Sequence, residues 1–214
     1  MNQIQGKRGI LFIISAPSGA GKTTLVKALC KRDPNLHVSV SHTTRPCRPD
    51  ETAGQSYNFI DEATFRDMIA NDLFLEFATV FDHHYGTSRD WVEQQLAAGN
   101  DVLLEIDWQG ASQVRRTMPD AVTIFIMPPS IETLEKRLQC RGEDDKTVNR
   151  RMRDARIEMS HYRDYDFIVI NETLDRARLE LETIIRAMRH KYALQTGHYD
   201  EFAKTLMEQN GNIE

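Results

Sequence analysis

Apolar residues along the chain are concentrated in short continuous runs, and amphipathic segments separate one run from the next. The four strongest runs lie at 10–14, 102–106, 121–127 and 167–170. Runs that are apolar at nearly every position are typical of strands buried on both faces of a parallel sheet. Segments between them, such as 22–32, 131–139 and 174–192, repeat their apolar residues with a helical period. The pattern predicts a three-layer α/β fold with a central parallel sheet.

The middle of the chain follows a different pattern, with shorter strand-like segments and an irregular stretch rich in Pro, Thr and Gly. The segments 36–41, 57–60 and 73–81 are read as strands, and 62–71 as a helix that Asp61 can cap. We therefore expect a small mixed α/β lobe, residues 38–87, inserted into the core.

The remaining organisation follows from charge and periodicity. We expect a single domain whose core consists of residues 1–37, 88–131 and 160–195. A strongly charged segment, 132–159, is interpreted as a helical, arginine-bearing lid. Residues 196–214 carry weak signals and are treated as a C-terminal tail.

The stretch APSGAGKT, residues 16–23, follows the first apolar run directly and precedes a helical pattern. It is close to the phosphate-binding pattern G-x-x-x-x-G-K-[ST], with Ala16 in place of the first glycine. Small residues let backbone N–H groups approach a phosphate chain, and a helix N-terminus behind them favours an anion. Lys22 can then reach the outer phosphates, and the Thr23 hydroxyl can bind Mg²⁺. The alternative is a glycine-rich turn with a chance lysine.

Composition narrows the class of partner. The 214-residue chain has a net charge of −5, which argues against a nucleic-acid binder. Its three cysteines are scattered, so we expect neither a disulfide framework nor a zinc site. The apolar runs are too short for a secretory signal or a membrane span, which makes the cytoplasm the expected location. Small anionic ligands are the expected partners, without nucleic acid or membrane, and the choice between monomer and homo-oligomer stays open.

Two arginines in the irregular stretch can form a phosphate clamp. Arg45 and Arg48 lie between Ser41 and Tyr57, and guanidinium groups bind phosphate in a bidentate manner. The alternative is a solvated basic loop.

Glu76 stands inside a nearly apolar segment, and a buried carboxylate needs hydrogen-bond partners. Guanine offers two adjacent donors, its N1–H and its N2 amine, whereas adenine lacks that pair. Ser41 or Thr87 could donate to the guanine O6. The alternative is an exposed glutamate on an edge strand.

Acidic and basic clusters complete the candidate chemistry. Glu105 and Asp107 end a buried strand near the phosphate loop, where they can orient Mg²⁺ or its waters, or one of them can cap the next helix. The arginines of the charged segment could surround a transferring phosphoryl group and exclude water, or form salt bridges on a surface helix. They are Arg137, Arg141, Arg150, Arg151 and Arg153.

Taken in order, these segments resemble the guanylate kinase family in its bacterial branch. The resemblance covers residues 9–189, and its most specific part is the block SVSHTTRPCRPDE followed by YNFI; the other segments are SAPSGAGKTTL, FLEFATVFDHHYGTS, LLEIDWQGA, FIMPPS and RLQCRG. It implies Mg²⁺-dependent phosphoryl transfer from ATP to GMP, giving ADP and GDP, which recycles GMP and supports GTP synthesis. It also implies a P-loop fold with a GMP-binding lobe at 38–87.

The resemblance implies a role for each matching residue. The ATP-binding residues would be Ala16, Pro17, Ser18, Gly19, Ala20, Gly21, Lys22, Thr23, Thr24 and Asn171. The GMP-binding residues would be Ser41, Arg45, Arg48, Glu51, Tyr57, Glu76, Tyr85, Thr87 and Asp107. The catalytic residues would be Lys22, Arg45, Arg137, Arg141 and Arg151. Thr23 would bind Mg²⁺, with Glu105 and Asp107 acting through water.

Four positions depart from the usual family pattern, namely Asp50, His84, Glu105 and Cys140. Glu105 replaces a common Asp, which keeps the charge and lengthens the reach.

Two other functions stay open at this point. The same fold serves as a catalytically silent binding module in scaffolding proteins, and related kinases act on a phosphorylated sugar.

Overall fold

The computed structural model describes residues 8–49, 51–80, 82–140 and 144–209. The strands and helices follow one another as β1 (Leu11–Ser15), α1 (Lys22–Cys30), β2 (Leu36–Val38), β3 (His42–Thr43), β4 (Asn58–Phe59), α2 (Glu62–Ala70), β5 (Phe74–Val80), β6 (His83–Ser88), α3 (Arg89–Ala97), β7 (Asp101–Glu105), α4 (Trp108–Thr117), β8 (Val122–Met127), α5 (Ile131–Gln139), α6 (Asp145–Ser160), β9 (Phe167–Ile170), α7 (Leu174–Met188) and α8 (Thr196–Gln209). Short 3₁₀ helices lie at Tyr162–Asp164 and Tyr192–Leu194.

The central sheet has five parallel strands in the order β2-β7-β1-β8-β9. Side chains alternate along β1, so Phe12 and Ile14 pack with residues of α1 and α7, while Leu11 and Ile13 pack with residues of α3 and α4. Both faces of the sheet are therefore covered by helices. This arrangement confirms the α/β fold class and the parallel sheet that the apolar runs predict.

A second sheet of four strands, in the order β4-β3-β6-β5, lies within the segment interpreted as the small lobe. Strand β6 runs antiparallel to both β3 and β5, whereas β3 and β4 are parallel. The single strand predicted at 36–41 is wrong in one respect. Residues Leu36–Val38 join the central sheet, Ser39 donates its N–H to the Leu103 carbonyl, and the chain then crosses to the second sheet at His42.

Side chains cap the starts of several helices, including the cap predicted at Asp61. The side chains of Asp61, Ser88 and Ser130 accept hydrogen bonds from backbone N–H groups in the first turns of α2, α3 and α5. The charged segment forms most of α5 and α6, which pack on each other through Leu134, Leu138, Val148 and Ala155. The tail with weak signals also forms a helix, α8. Within the described residues, no helix is long and apolar enough to cross a membrane.

A buried ion cluster holds α7 against the starts of β1 and β7. Asp101 is fully buried; its Oδ1 accepts the Ile10 N–H at 2.8 Å and its Oδ2 accepts from Arg189 Nε at 2.6 Å. Arg189 Nη1 also contacts Asp33 Oδ2 at 2.8 Å. Breaking such a pair leaves a charge buried without its partner, which costs more than the pair itself contributes.

We predict that Arg189→Met lowers the free energy of unfolding by about 3 kcal/mol or more, because Asp101 loses its counter-charge in a buried site. Urea denaturation at pH 7 measures this change. Arg186→Met, on the exposed side of the same helix, is the matched control and should change stability by less than about 0.5 kcal/mol. Equal effects of the two substitutions would contradict the role given to Arg189.

Candidate active site

A cavity of about 350 Å³ opens at the carboxyl ends of β1 and β7, the edge of a parallel sheet where ligands bind. One wall is the loop after β1 and the opposite wall comes from the second sheet. The lining includes Ala16, Pro17, Ser18, Gly19, Gly21, Lys22, Thr23, Thr24, Ser41, Arg48, Tyr57, Glu76, Tyr85, Glu105, Asp107, Arg151 and Glu158. Most residues predicted for the site are therefore brought together in one place.

The loop between β1 and α1 has the backbone shape of an anion site. Gly19 and Gly21 adopt φ values of 91° and 95°, which side chains with a Cβ rarely tolerate. Gly21 is the N-cap residue of α1 and supplies no capping side chain, so the first-turn N–H groups of α1 remain available to a ligand. Lys22 and Thr23 are the first residues of that helix.

Asn171 and Arg137 contact this loop through its Ala20 carbonyl. Asn171 is buried, and its Nδ2 donates to the Ala20 oxygen at 2.7 Å. Arg137 donates to the same oxygen and to the Asn171 carbonyl, each at 3.3 Å. A Cβ on Gly21 would lie 2.5 Å from Asn171 Nδ2. In the structure both residues support the loop backbone. The ATP contact predicted for Asn171 and the catalytic role predicted for Arg137 stay predictions.

Glu105 and Asp107 make different contacts. Thr23 Oγ1 donates to Glu105 Oε2 at 3.3 Å, so hydroxyl and carboxylate oxygens meet beside the loop. Asp107 Oδ1 accepts the Gly110 N–H at 2.9 Å and caps α4, which is the alternative left open for one of the two acids. These oxygen donors suit Mg²⁺, which binds to few protein ligands when phosphates complete its shell. Among the described residues, no group of three or more His, Cys, Asp or Glu side chains forms a metal site.

The predicted phosphate clamp is preassembled by Glu51. Arg45 Nη2 donates to Glu51 Oε1 at 2.6 Å, and the backbone N–H of Arg48 donates to Glu51 Oε2 at 2.9 Å. The hydrogen bond to Glu51 is the main cause that raises the pKa of Arg45. The Arg45 guanidinium also lies 5.4 Å from the Tyr57 ring centre, and the Tyr57 and Tyr85 rings meet edge to face. Glu51 therefore positions the arginine, while Arg48, Tyr57 and Tyr85 face the cavity.

Glu76 is buried, with 3% of its surface exposed, so the alternative of an exposed edge glutamate is wrong. Its Oε1 accepts the Thr87 hydroxyl at 2.6 Å, because the two residues are paired across β5 and β6. Burial raises the pKa of the Glu76 carboxyl to about 7, and the Thr87 hydrogen bond lowers it only in part. A carboxylate held this way has acceptor capacity left over for a ligand.

Helix α4 supports Glu76 through residues that the sequence reading did not single out. A Cβ on Gly110 would lie 2.4 Å from Glu76 Oε2, so any other residue would push the carboxylate out of its present position. About one turn further along α4, Gln113 Nε2 donates to the Phe77 carbonyl at 2.7 Å and its Oε1 accepts the Phe77 N–H at 3.2 Å. The short segment after Asp107, with its small residues, was the only available signal for this packing.

Side chains of α6, in the segment interpreted as a lid, reach the loop. Arg151 Nη1 donates to Ser18 Oγ at 3.4 Å, and Glu158 Oε2 accepts the Ser18 N–H at 3.2 Å. Burial raises the pKa of Glu158 to about 7. Arg150 lies 3.7 Å from Asp82, as expected of a surface ion pair. Arg141 and Asp50 lie outside the described residues. Glu158 had no motif to mark it in the sequence.

Comparison with known proteins gives a consistent set of relatives. A sequence model of the family described as guanylate kinase matches residues 8–188. The guanylate kinase of Methylococcus capsulatus is 55% identical over 183 residues, covering 85% of this chain and 90% of that protein. The guanylate kinase of Escherichia coli strain K12 is 49% identical over 203 residues, covering 94% and 98%. The crystal structure of guanylate kinase from Anaplasma phagocytophilum matches with a TM-score of 0.77 and 32% identity, covering 99% and 100%.

The raised pKa of Glu76 predicts a pH-dependent stability. At pH values between 4.5, the ordinary pKa of a glutamate, and about 7, the Glu76 carboxyl holds a proton in the folded protein that it has released in the unfolded chain. Stability contributed by this group therefore falls as pH rises through that window. Glu76→Gln removes the titration, so its stability relative to the parent protein should increase by about 2–3 kcal/mol between pH 5 and pH 8.

Thermal or urea unfolding of both proteins across this pH range measures the difference. Glu93→Gln, an exposed carboxylate on α3, is the control and should show no such trend. A stability difference for Glu76→Gln that does not vary with pH would show that the carboxyl is not held in its neutral form at pH 5.

Proposed function

The chain belongs to the guanylate kinase family, and we propose that its cavity holds ATP on the loop side and GMP on the second-sheet side, with Mg²⁺ between them. The protein is an enzyme, an ATP:GMP phosphotransferase, and the resemblance drawn from its motifs is confirmed. The observation that carries the proposed arrangement is the buried carboxylate of Glu76 facing the phosphate loop across one cavity.

The donor half of the site is the loop 16–24. Its two glycines with positive φ and the open N-terminus of α1 offer backbone donors to the ATP phosphates. Lys22 supplies a positive charge for the outer phosphates, and Thr23 would bind Mg²⁺ with Glu105 and Asp107 acting through water. When bound, Mg²⁺ offsets the charge of the phosphates and holds the transferring group in position. Asn171 is proposed to contribute on the adenine side.

The acceptor half combines a phosphate clamp with a base-reading group. Arg45, Arg48, Tyr57 and Tyr85 would bind the GMP phosphate, with Glu51 holding Arg45 in place. Glu76, in its ionised form, would accept from the guanine N1–H and N2 amine. Ser41 lines the same cavity as Glu76, and Thr87 already orients one carboxylate oxygen. Asp107 would complete the set close to the base and the metal.

Transfer between these two halves needs no nucleophile from the protein. An oxygen of the GMP phosphate attacks the γ-phosphorus of ATP, a new P–O bond forms, and the bond to the β-phosphate oxygen breaks to release ADP. Lys22 and the lid arginines Arg137, Arg141 and Arg151 offset the charge spread over the transferring group. Closure of the lid would exclude water, which otherwise competes with GMP for the phosphoryl group.

The two alternatives receive less support than the kinase. A silent binding module has no need for an intact phosphate loop, whereas Lys22 and Thr23 stand at its end here. A sugar kinase has no need for a buried carboxylate matched to two base donors. The relatives that this chain matches over most of its length are named guanylate kinases. We infer that the reaction takes place in the cytoplasm and returns GMP to the pool that supplies GTP.

A coupled ADP-release assay with GMP, AMP, CMP and UMP tests the acceptor assignment. We expect kcat/KM for GMP to exceed that for AMP by about a hundredfold or more, because AMP leaves the buried carboxylate without its donors. In Glu76→Gln the amide places a donor against a donor, so the preference for GMP should fall by about tenfold or more. Glu93→Gln controls for the loss of charge. An unchanged GMP preference in Glu76→Gln would exclude the proposed reading of guanine.

Lys22→Met tests the donor half. We expect kcat to fall by about a hundredfold or more, since a charge directed at the transferring group is lost, while KM for GMP changes little. Lys27→Met, at an exposed position of the same helix, is the matched control. Steady-state kinetics with ATP and GMP varied in turn give both constants. Near-parental turnover in Lys22→Met would refute its role in transfer.

A further inference from the structure

A carboxylate of the lid lies on the phosphate loop itself. Glu158 Oε2 accepts the backbone N–H of Ser18 at 3.2 Å, and Glu158 lines the same cavity as Lys22. This N–H belongs to the loop that is proposed to receive the phosphates of ATP. An acidic side chain is an unexpected partner there, because a triphosphate and a carboxylate carry charge of the same sign.

The surroundings of Glu158 favour an anion only weakly. Burial disfavours its ionised form, and the charges of Asp107 and Asp154 act in the same direction. Lys22 is the cation that offsets them in part. Lys22 is also the group expected to bind the outer phosphates of ATP, so the carboxylate and the nucleotide depend on the same positive charge.

The contact between Glu158 and Ser18 is made by α6, the long helix of the proposed lid. Arg151 and Glu158 lie about two turns apart on α6, so both reach Ser18 from one side of the helix. At the end of the helix, the ring of His161 stacks on Trp108 of α4, with ring centres 3.8 Å apart. Helix α6 therefore contacts the phosphate loop through Ser18 and the core through Trp108.

We propose that Glu158 is a placeholder on the phosphate loop, which accepts the Ser18 N–H until the phosphates of ATP displace it. The inference rests on the proposed function, since it assumes that ATP binds at this loop. Its consequence is that Glu158 lowers the affinity for the donor nucleotide. Glu158 is therefore a residue that sets donor affinity, and no part in the bond-making step is assigned to it.

Calorimetric titration with ADP in the absence of GMP tests the proposal. Glu158→Gln keeps the size of the side chain and a carbonyl oxygen for the Ser18 N–H, but removes the charge. We expect its Kd for ADP to be at least about threefold lower than that of the parent protein, because like-charge repulsion is lost. Asp154→Asn removes the same charge from the same helix one turn earlier, without a hydrogen bond to Ser18, and should change Kd by less than about twofold.

A purely structural role gives the opposite result. If Glu158 shapes the loop for nucleotide, Glu158→Gln will bind ADP equally or more weakly, and either outcome overturns the proposal. Equal tightening by Asp154→Asn would also overturn it, because the effect would then come from overall charge. Steady-state kinetics add a second readout: KM for ATP should fall in Glu158→Gln while KM for GMP stays within about twofold. Failure of the parent protein to bind ADP would contradict the proposed function itself, and so is distinguishable from failure of this inference.

Discussion

The rest of the site depends on one junction, where strand β5 of the second sheet packs on helix α4 of the core. Glu76 of β5 lies against Gly110 of α4 so closely that a side chain at position 110 would displace the carboxylate. Gln113, further along α4, bonds both backbone groups of Phe77 and so extends the edge of β5. Since α4 begins at Asp107, directly after the end of β7, this packing fixes the second sheet relative to the phosphate loop.

The same junction explains why a carboxylate can stay buried there. Thr87 satisfies one oxygen of Glu76, and the other faces the start of α4, where Asp107 adds a second negative charge. Burial raises the pKa of this carboxyl to about 7, and a neutral side chain at the same position would give a more stable folded protein. Such a conflict between stability and chemistry is typical of functional sites. Glu158, which lines the same cavity, is a second carboxyl whose pKa is raised by burial, and it shows the same conflict on the donor side.

Much of this arrangement follows from local sequence signals, and the rest depends on long-range packing. The continuous apolar runs predict β1, β7, β8 and β9 closely, because strands buried on both faces leave few polar positions. The crossing of the chain between two sheets after Val38 leaves no local mark, since both segments alternate in the same way. Gly110 and Glu158 were missed for a related reason: their partners, Glu76 and Ser18, are distant in sequence and only the tertiary structure brings them together.

In the proposed complex, the Glu76 carboxylate accepts hydrogen bonds from the two adjacent donors of guanine. Inosine monophosphate keeps the phosphate, the N1–H and the O6 of GMP but lacks the N2 amine, so it isolates one of those two hydrogen bonds. Calorimetric titration of the protein with GMP and with inosine monophosphate compares them directly. We expect GMP to bind about tenfold or more tightly than inosine monophosphate, as for one hydrogen bond to a charged group, and Glu76→Gln to abolish most of the difference. Equal affinity of the unaltered protein for the two nucleotides would contradict it.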